Sequence, residues 1–595
     1  MQKSKSQETE QPKAEQQNTV FQQAKYHGAK RVDSSANESA SIELREQLYQ
    51  AFPAMGNLLA GQVSYQSQGH VLLIGPEDRC RLACQYLTDA TSVTILVNQT
   101  STLGEHDVLA RAMQVSQAAA VYYGAVLQVK GHLGHFKVDT EYQQQRVTLP
   151  ELATQRHYFD LLIDLADTAV VAQSLLPPGY FYYGDDMTAV QQLGQSLSDY
   201  IGEFEKPRYV TVDADKCAHA RNDLIGCRRC LDVCAADAIS SHNFTIHIDS
   251  HLCHGSGDCA SVCPTSAIGY DFPTSLSLQT QLRQIISQYY QQAKVKPHVI
   301  FHDGRVHPID LKYLAPHVLP FTVEEIGACA IEHFLAALAW GATNVTVICR
   351  GSQDGTVLQQ HVNLANSLLM HMGYGTCVEI TSEDDFGQHV AVQFEPQVSQ
   401  DKTGQATSIA DVAIARFEPM NKPLLFYAAI DHLNTFAKQC RDVLALRGNL
   451  SSSSYGKIDV NTLDCTMCMA CVSACPTSAL QADSDQPILR FKEQACVQCS
   501  LCQQSCPEDV ISLHSQVNFD AEMRNSEAVL NEDKPFHCIR CGSAFATTTM
   551  IERMMQTLAS HSAFANNPQR LQMCADCRVE DMVIDVINDP QKQLR

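Results

Sequence analysis

The spacing of the cysteines constrains this chain more than any other feature. Cys465, Cys468, Cys471 and Cys475 precede Pro476 and read C-x2-C-x2-C-x3-C-P; Cys496, Cys499, Cys502 and Cys506 precede Pro507 and repeat the pattern. Three thiolates this close together can grip one compact inorganic cluster, while the fourth is set back to cross to a second cluster. The crossing rule groups Cys465, Cys468, Cys471 and Cys506 around one [4Fe-4S] cluster, and Cys496, Cys499, Cys502 and Cys475 around its neighbour. Soft thiolates suit iron, and zinc rarely needs the third cysteine or the proline.

An earlier block follows the same design with three edits. Cys217 is separated by nine residues from Cys227, Cys230 and Cys234, and Ala235 stands where the proline is expected. The second motif runs Cys253-His254-Gly255-Ser256-Gly257-Asp258-Cys259 and ends at Cys263-Pro264, so Ser256 occupies the slot of the second ligand. Crossing gives a full set, Cys217, Cys227, Cys230 and Cys263, and a three-thiolate set, Cys253, Cys259 and Cys234. Three outcomes are open for the smaller set: a [3Fe-4S] cluster, a [4Fe-4S] cluster completed by oxygen or water, or no cluster. Ser256, Asp258 and His254 are the neighbours that could supply a non-thiolate ligand, and each is equally readable as an ordinary loop residue. After the last cysteine of each motif comes a small step and an apolar residue, Ala238-Ile239, Ala267-Ile268, Ala479-Leu480 and Val510-Ile511, placed to pack over a cluster and tune it.

A third constellation lies near the carboxyl end. Cys538 and Cys541, then Cys574 and Cys577, form two C-x2-C knuckles with 32 residues between them. Four thiolates so arranged suit a structural tetrahedral zinc, with iron the main competitor. The segment Met550 to Leu558 between them carries apolar residues at helical spacing. The remaining cysteines, Cys80, Cys84, Cys329, Cys349, Cys377 and Cys440, sit in apolar strand or helix contexts or alone, and are read as packing residues.

Of 595 residues 45% are hydrophobic and 18% charged, which fits several globular cores. The amino terminus lacks a secretory apolar region and no run is long enough to span a bilayer, so a cytoplasmic location is expected. Metal-type cysteine spacings fit that reducing compartment. A net charge of −22 disfavours nucleic acid as a partner and favours a redox protein with a basic face.

Organisation along the chain follows from periodicity. Residues 1–45 read as a disordered, polar tail. An α/β domain follows at 46–207, with strands at Val71–Ile74 and Val93–Val97, a helix at Arg79–Leu87, and an apolar run at Tyr158–Leu165. A ferredoxin-like α+β domain occupies 208–275. A second α/β domain spans 276–455, with a polar helix at Leu282–Lys294, strands at His298–Phe301, Val318–Val323 and Asn344–Ile348, an amphipathic helix at Glu324–Trp340, another helix at Leu358–Met372 and a loop-rich stretch at 381–410. The second ferredoxin-like domain is 456–516 and the four-cysteine zinc domain 517–595. Neither Gly75-Pro76-Glu77-Asp78 nor Gly351-Ser352-Gln353-Asp354-Gly355 matches a dinucleotide or phosphate loop. No nucleophile, flavin or nicotinamide motif is evident, so no catalytic residue is assigned.

Gly202-Glu203-Phe204-Glu205-Lys206-Pro207-Arg208, the Cys217 and Gly226-Cys227-Arg228-Arg229-Cys230 segment, and the ending Phe536-His537-Cys538 to Cys577-Arg578 resemble large bacterial 4Fe-4S binding proteins commonly encoded beside formate dehydrogenase accessory proteins. The resemblance runs from about residue 69 to the end. In that family a cysteine usually stands at the position of Ser256. Gly304-Arg305-Val306-His307-Pro308 and the unit after Glu324 resemble the delta iron-sulfur subunit of methyl-viologen-reducing hydrogenases, but the clustered cysteines of that subunit are missing here. The resemblance implies formate metabolism. The expectation is a soluble multi-cluster electron-transfer protein with three [4Fe-4S] clusters, a fourth altered site, zinc, and a redox partner such as formate dehydrogenase. The alternative is an accessory, maturation or redox-sensing protein whose clusters do not turn over.

Overall fold

Parallel strand pairing organises the first α/β unit, because runs such as Val71 to Ile74 are apolar on both faces and need cover on each side. The computed structural model describes residues 36–53, 61–99, 119–142, 144–303, 314–349, 355–383, 386, 408–437, 443–450, 453–483, 486–561 and 564–588. His70–Pro76 lies at the centre of a parallel five-stranded sheet, with Ser92–Gln99 and Ala120–Tyr123 on one side and Leu161–Asp164 and Tyr180–Tyr182 on the other. The expected helix forms at Glu77–Cys84, and the strand expected over Tyr158–Leu165 is confined to Leu161–Asp164. A small antiparallel sheet covers one side of the unit. A long ribbon, Gln62–Ser67 paired with Gly202–Pro207, extends to the first cysteine-rich unit.

The second α/β unit has a parallel four-stranded sheet in the order Val318–Val323, His298–Asp303, Asn344–Cys349, Val378–Ser382. Helix Gly355–Met372 forms where periodicity placed it, whereas the helix expected over Leu282–Lys294 starts earlier and spans Ser275–Ala293. The amphipathic helix expected over Glu324–Trp340 is different. It breaks into a short 3-10 turn, Ile326–Ala328, and a helix, Ile331–Ala339, in which every residue is buried, Glu332 and His333 included. Packing between the sheet and the helix Lys422–Thr435 explains this, since a helix covered all round has no solvent face to keep polar. Most of the expected loop at 381–410 lies outside the described residues, as do 304–308, 351–354 and Cys440.

The tail boundary also shifts. Residues 1–35 lie outside the described residues, but Ala36–Ala51 is a helix, so a boundary at 45 cuts through it. That helix packs on the second α/β unit rather than the first: fully buried Arg45 donates to the carbonyls of Ala315 and Val318, and the Tyr49 hydroxyl donates to that of Pro320. Lone polar residues in a Gln-rich stretch give no periodic signal of such a contact.

The two cysteine-rich units are built alike. Each has an antiparallel pair joining its ends, Val210–Val212 with Ile268–Tyr270 and Gly456–Val460 with Ile511–Asn518, and a second pair in its middle, Ile239–His242 with Thr245–Ile248 and Leu480–Ala482 with Ile488–Phe491. Short helices carry the third cysteine of each motif, as in Arg229–Val233 and Leu501–Gln504. The strand Ala528–Glu532 adds to the second unit's sheet, so that unit reaches past residue 516. No helix among the described residues is long and apolar enough to cross a membrane.

Candidate metal centres

The backbone of the cysteine loops repeats. In the complete motifs the residues flanking the second cysteine are left-handed: Met467 and Met469 have φ of 55° and 61°, and Gln498 and Ser500 have φ of 52° and 67°. The residues flanking Ser256, Gly255 and Gly257, have φ of 84° and 85°. Glycine is needed at both for space as well, because a β-carbon would stand 2.5 Å from the Tyr209 ring and 2.5 Å from the Ala328 nitrogen. Three residues beyond the last cysteine of every motif the chain turns left-handed again, at Asp237, Ser266, Ser478 and Asp509. Those turns were not read from the sequence, although Asp and Ser at a fixed offset were the available signal.

The turns bring sulfurs from distant motifs together. A hollow in the second unit is lined by Cys475, Cys496, Cys499 and Cys502, with Ile458, Leu480 and Leu513 closing it. Burial pushes the Cys471 thiol up to about 12, helped by the charges of Cys468, Cys465 and Cys506. In the first unit burial raises Cys230 to about 12, with Cys227, Cys263 and Cys217 adding to it. Cys259 is raised well above the ordinary value by burial and then by Cys253, Cys234 and Cys230. Buried thiols that repel one another as thiolates call for a cationic core among them, and a soft all-sulfur donor set fits an iron-sulfur cluster.

Donors also point at these sulfurs. The amides of Ala238 and Ile268 donate to Cys234 Sγ at 3.3 Å and Cys263 Sγ at 3.4 Å, and Gln498 Nε2 donates to Cys496 Sγ at 3.3 Å. Such N–H to sulfur bonds stabilise negative charge on the thiolate and so raise the potential of a cluster held there.

The Ser256 loop is walled in by three elements. Lys206, from the long ribbon, donates to the carbonyls of His251 and Cys253, each at 2.8 Å. Burial lowers the Lys206 ammonium to about 8, against the favourable charges of Cys253 and Asp249. His254 Nε2 meets the carbonyl of Leu176 at 3.0 Å, so that nitrogen is turned to the first α/β unit. On the far side Gly327 allows close approach, since a β-carbon there would lie 2.3 Å from the Ser256 carbonyl and 2.9 Å from an Asp258 carboxylate oxygen. Two of the three non-thiolate candidates are thus turned toward neighbouring units.

Between the two cysteine-rich units and the second α/β unit lies a cavity of about 110 Å³, lined among others by Arg229, Cys263, His361, Lys422, Tyr455 and Cys496. Burial lowers the His361 imidazolium to about 3, and its Nε2 has no hydrogen-bond partner among the described residues. Of the thiols read as packing residues, Cys80, Cys329, Cys349 and Cys377 are buried and Cys84 is partly so.

At the carboxyl end the ligand sulfurs of Cys538, Cys541, Cys574 and Cys577 all lie within 4.8 Å of one another, and Cys541 Sγ stands 3.8 Å from Cys574 Sγ. The strands Pro535–His537 and Ala544–Thr547 present the first knuckle, and the helix Ala575–Asn588 carries Cys577. Burial opposes ionisation of Cys538, but backbone hydrogen bonds from Cys541, Cys574 and Arg540 outweigh it and bring that thiol down to about 6. A thiol already ionised at neutral pH is a ready first ligand.

Residues 224–267 and 464–510 match the family model of the 4Fe-4S dicluster domain. The first match begins beyond Cys217, inside the nine-residue insertion. No curated protein matches the chain. These two stretches of the chain are thus 4Fe-4S dicluster domains of the ferredoxin type.

Proposed function

We propose that this chain is an iron-sulfur electron carrier, or the electron-transfer subunit of an oxidoreductase, with four cluster sites and a structural zinc, serving a formate dehydrogenase-type redox system. The meeting of Cys475 with Cys496, Cys499 and Cys502 in one hollow carries the reading, because a crossing thiolate is what a two-cluster ferredoxin requires. By the same rule Cys465, Cys468, Cys471 and Cys506 hold a second [4Fe-4S] cluster and Cys217, Cys227, Cys230 and Cys263 a third. Cys253, Cys259 and Cys234 hold a [3Fe-4S] cluster or a [4Fe-4S] cluster with an oxygen ligand at Ser256. These groups supply one-electron chemistry when bound. The chain's own part is to exclude water with Ile458, Leu480 and Leu513 and to direct N–H groups at the sulfurs. Zinc fits the terminal site, since bonds of about 2.3 Å to four tetrahedral sulfurs place the sulfurs about 3.8 Å apart.

The formate link rests on the resemblance of the Gly202–Arg208, Cys217–Cys230 and Phe536–Arg578 segments. Anaerobically purified protein, assayed for iron, sulfide and zinc, reduced with a low-potential donor and mixed with formate dehydrogenase, tests the whole reading. Electron exchange with the dehydrogenase is expected. Clusters that refuse reduction across the ferredoxin range would overturn electron transfer. In a deletion strain, loss of dehydrogenase protein or cofactor, with electron flow intact in whatever enzyme remains, would favour a maturation role.

A further inference from the structure

The nine residues inserted between Cys217 and Cys227 are not slack. Ala220–Arg221 and Leu224–Ile225 pair as a hairpin whose two central residues, Asn222 and Asp223, have φ of 52° and 61°, the pattern of a tight two-residue turn with both residues left-handed. Buried His219 pins its base, with Nδ1 at 2.8 Å from the Cys227 carbonyl and Nε2 at 2.7 Å from the Ser241 hydroxyl.

The hairpin lies on the other dicluster unit. Arg221 Nη1 donates to the Cys475 carbonyl at 3.1 Å, and Asn222 Nδ2 approaches the Ser473 hydroxyl at 3.4 Å. The strand Leu224–Ile225 contacts the helix Leu501–Gln504. Gly226, next to Cys227, sits so close that a β-carbon would stand 2.6 Å from Leu501 Cγ and 2.8 Å from the Cys499 carbonyl. Arg229 adds donations to the carbonyls of Val497 and Ser453.

We propose that this inserted hairpin is an internal docking element that locks the two dicluster units together where Gly226, beside Cys227, meets Leu501 and the Cys499 carbonyl. It sets the four thiol sets in one fixed order: the Ser256 set, the Cys217 set, the Cys496 set and the Cys465 set. Within each unit the sets adjoin where the short helix that carries Cys230 packs on the one that carries Cys259, and where the helix that carries Cys471 packs on the one that carries Cys502. The two ends differ. The Ser256 set is enclosed by Lys206, Leu176 and Gly327, whereas Cys468 is exposed beside Leu463, which is 89% exposed. Cys468 is thus the thiol of these sets that is open to solvent at this end of the order.

The inference rests on the cluster assignment for its order but not for its docking contact, and the test separates the two. Gly226→Leu is compared with wild type in the full chain, with Arg221→Ala/Asn222→Ala as a milder second variant should the first not fold. Iron and sulfide content are expected to stay unchanged. In the fully reduced protein the spin–spin splitting between units should collapse, and amide exchange in Leu501–Gln504 should rise about tenfold for Gly226→Leu and about threefold for the double variant. Unchanged splitting with unchanged exchange overturns the proposal. Wild-type protein that binds no iron would defeat the cluster reading instead, and the exchange comparison would still decide whether the hairpin docks.

Discussion

Replacing Ser256 by cysteine should complete the one deficient thiol set. The backbone is already prepared for it: left-handed residues flank Ser256 just as they flank Cys468 and Cys499. Serine to cysteine keeps the branching and exchanges one oxygen for a somewhat larger sulfur at a half-buried position, so the folding cost should stay within about 0.5 kcal/mol. A site that holds three irons should gain about one iron atom per chain when the fourth thiolate is supplied. The assay is iron and sulfide analysis with EPR of the oxidised protein, because an oxidised [3Fe-4S] cluster is paramagnetic and an ordinary oxidised [4Fe-4S] cluster is not. If the native site is instead an oxygen-ligated [4Fe-4S] cluster, iron is constant and the spectrum of the reduced protein changes as sulfur replaces oxygen. Iron content and both spectra unchanged would refute the reasoning, since Ser256 would then stand outside the ligand slot.

Other substitutions probe the remaining sites. Arg524 is fully buried, bonds Asp431 at 2.5 Å and the Asn518 carbonyl at 2.6 Å, and stands 4.6 Å over the Tyr427 ring. Arg524→Met should cost about 2–3 kcal/mol in denaturant unfolding, less than for a fully enclosed pair because Asp431 keeps some water contact; a change below about 0.5 kcal/mol would show that the pair does not hold these units together. Cys574→Ser should release the terminal metal and leave iron content unchanged, and a parallel loss of iron would mean that this site is not an independent zinc centre. Leu463→Lys should slow reduction by a basic-faced protein donor about tenfold without altering reduction by dithionite, and unchanged rates with the protein donor would show that electrons do not enter at this end.

Much of the fold was legible because its signals are local. Apolar runs gave the strands His70–Pro76, His298–Asp303 and Asn344–Cys349, and cysteine spacing marked out the two dicluster stretches. What escaped depends on contacts between distant residues. Arg45 looks like any charge in a polar stretch until it reaches the carbonyls of Ala315 and Val318. Glu332 and His333 suggest a solvent face, yet Lys422 stands 3.4 Å from Glu332 Oε1 and Ser275 meets His333 at 2.8 Å, so each finds a partner inside the core, while Glu332 Oε2 has none among the described residues. His254 and Asp258 looked equivalent to Ser256 as spare ligands, but their orientation is decided by Leu176 and Gly327, which belong to other units.

The insertion after Cys217, which departs from compact spacing, and Ser256, which keeps the spacing but changes the ligand, both lie in the first dicluster unit, and each coincides with a contact. The insertion after Cys217 makes the hairpin that meets Cys475, Ser473 and Leu501, while the Gly255-Ser256-Gly257 loop fits beneath Tyr209 and Ala328, where side chains at the flanking positions would collide. The second unit keeps the compact spacing in both motifs and leaves Cys468 and Leu463 at the surface. A unit enclosed on several sides must reshape its loops to fit its neighbours, whereas one with an open edge is free to keep the short loops that clusters alone require. The serine in the ligand slot therefore belongs with packing as much as with redox chemistry: the loop that carries it is met by Lys206, Leu176, Tyr209 and Ala328, all from outside the loop.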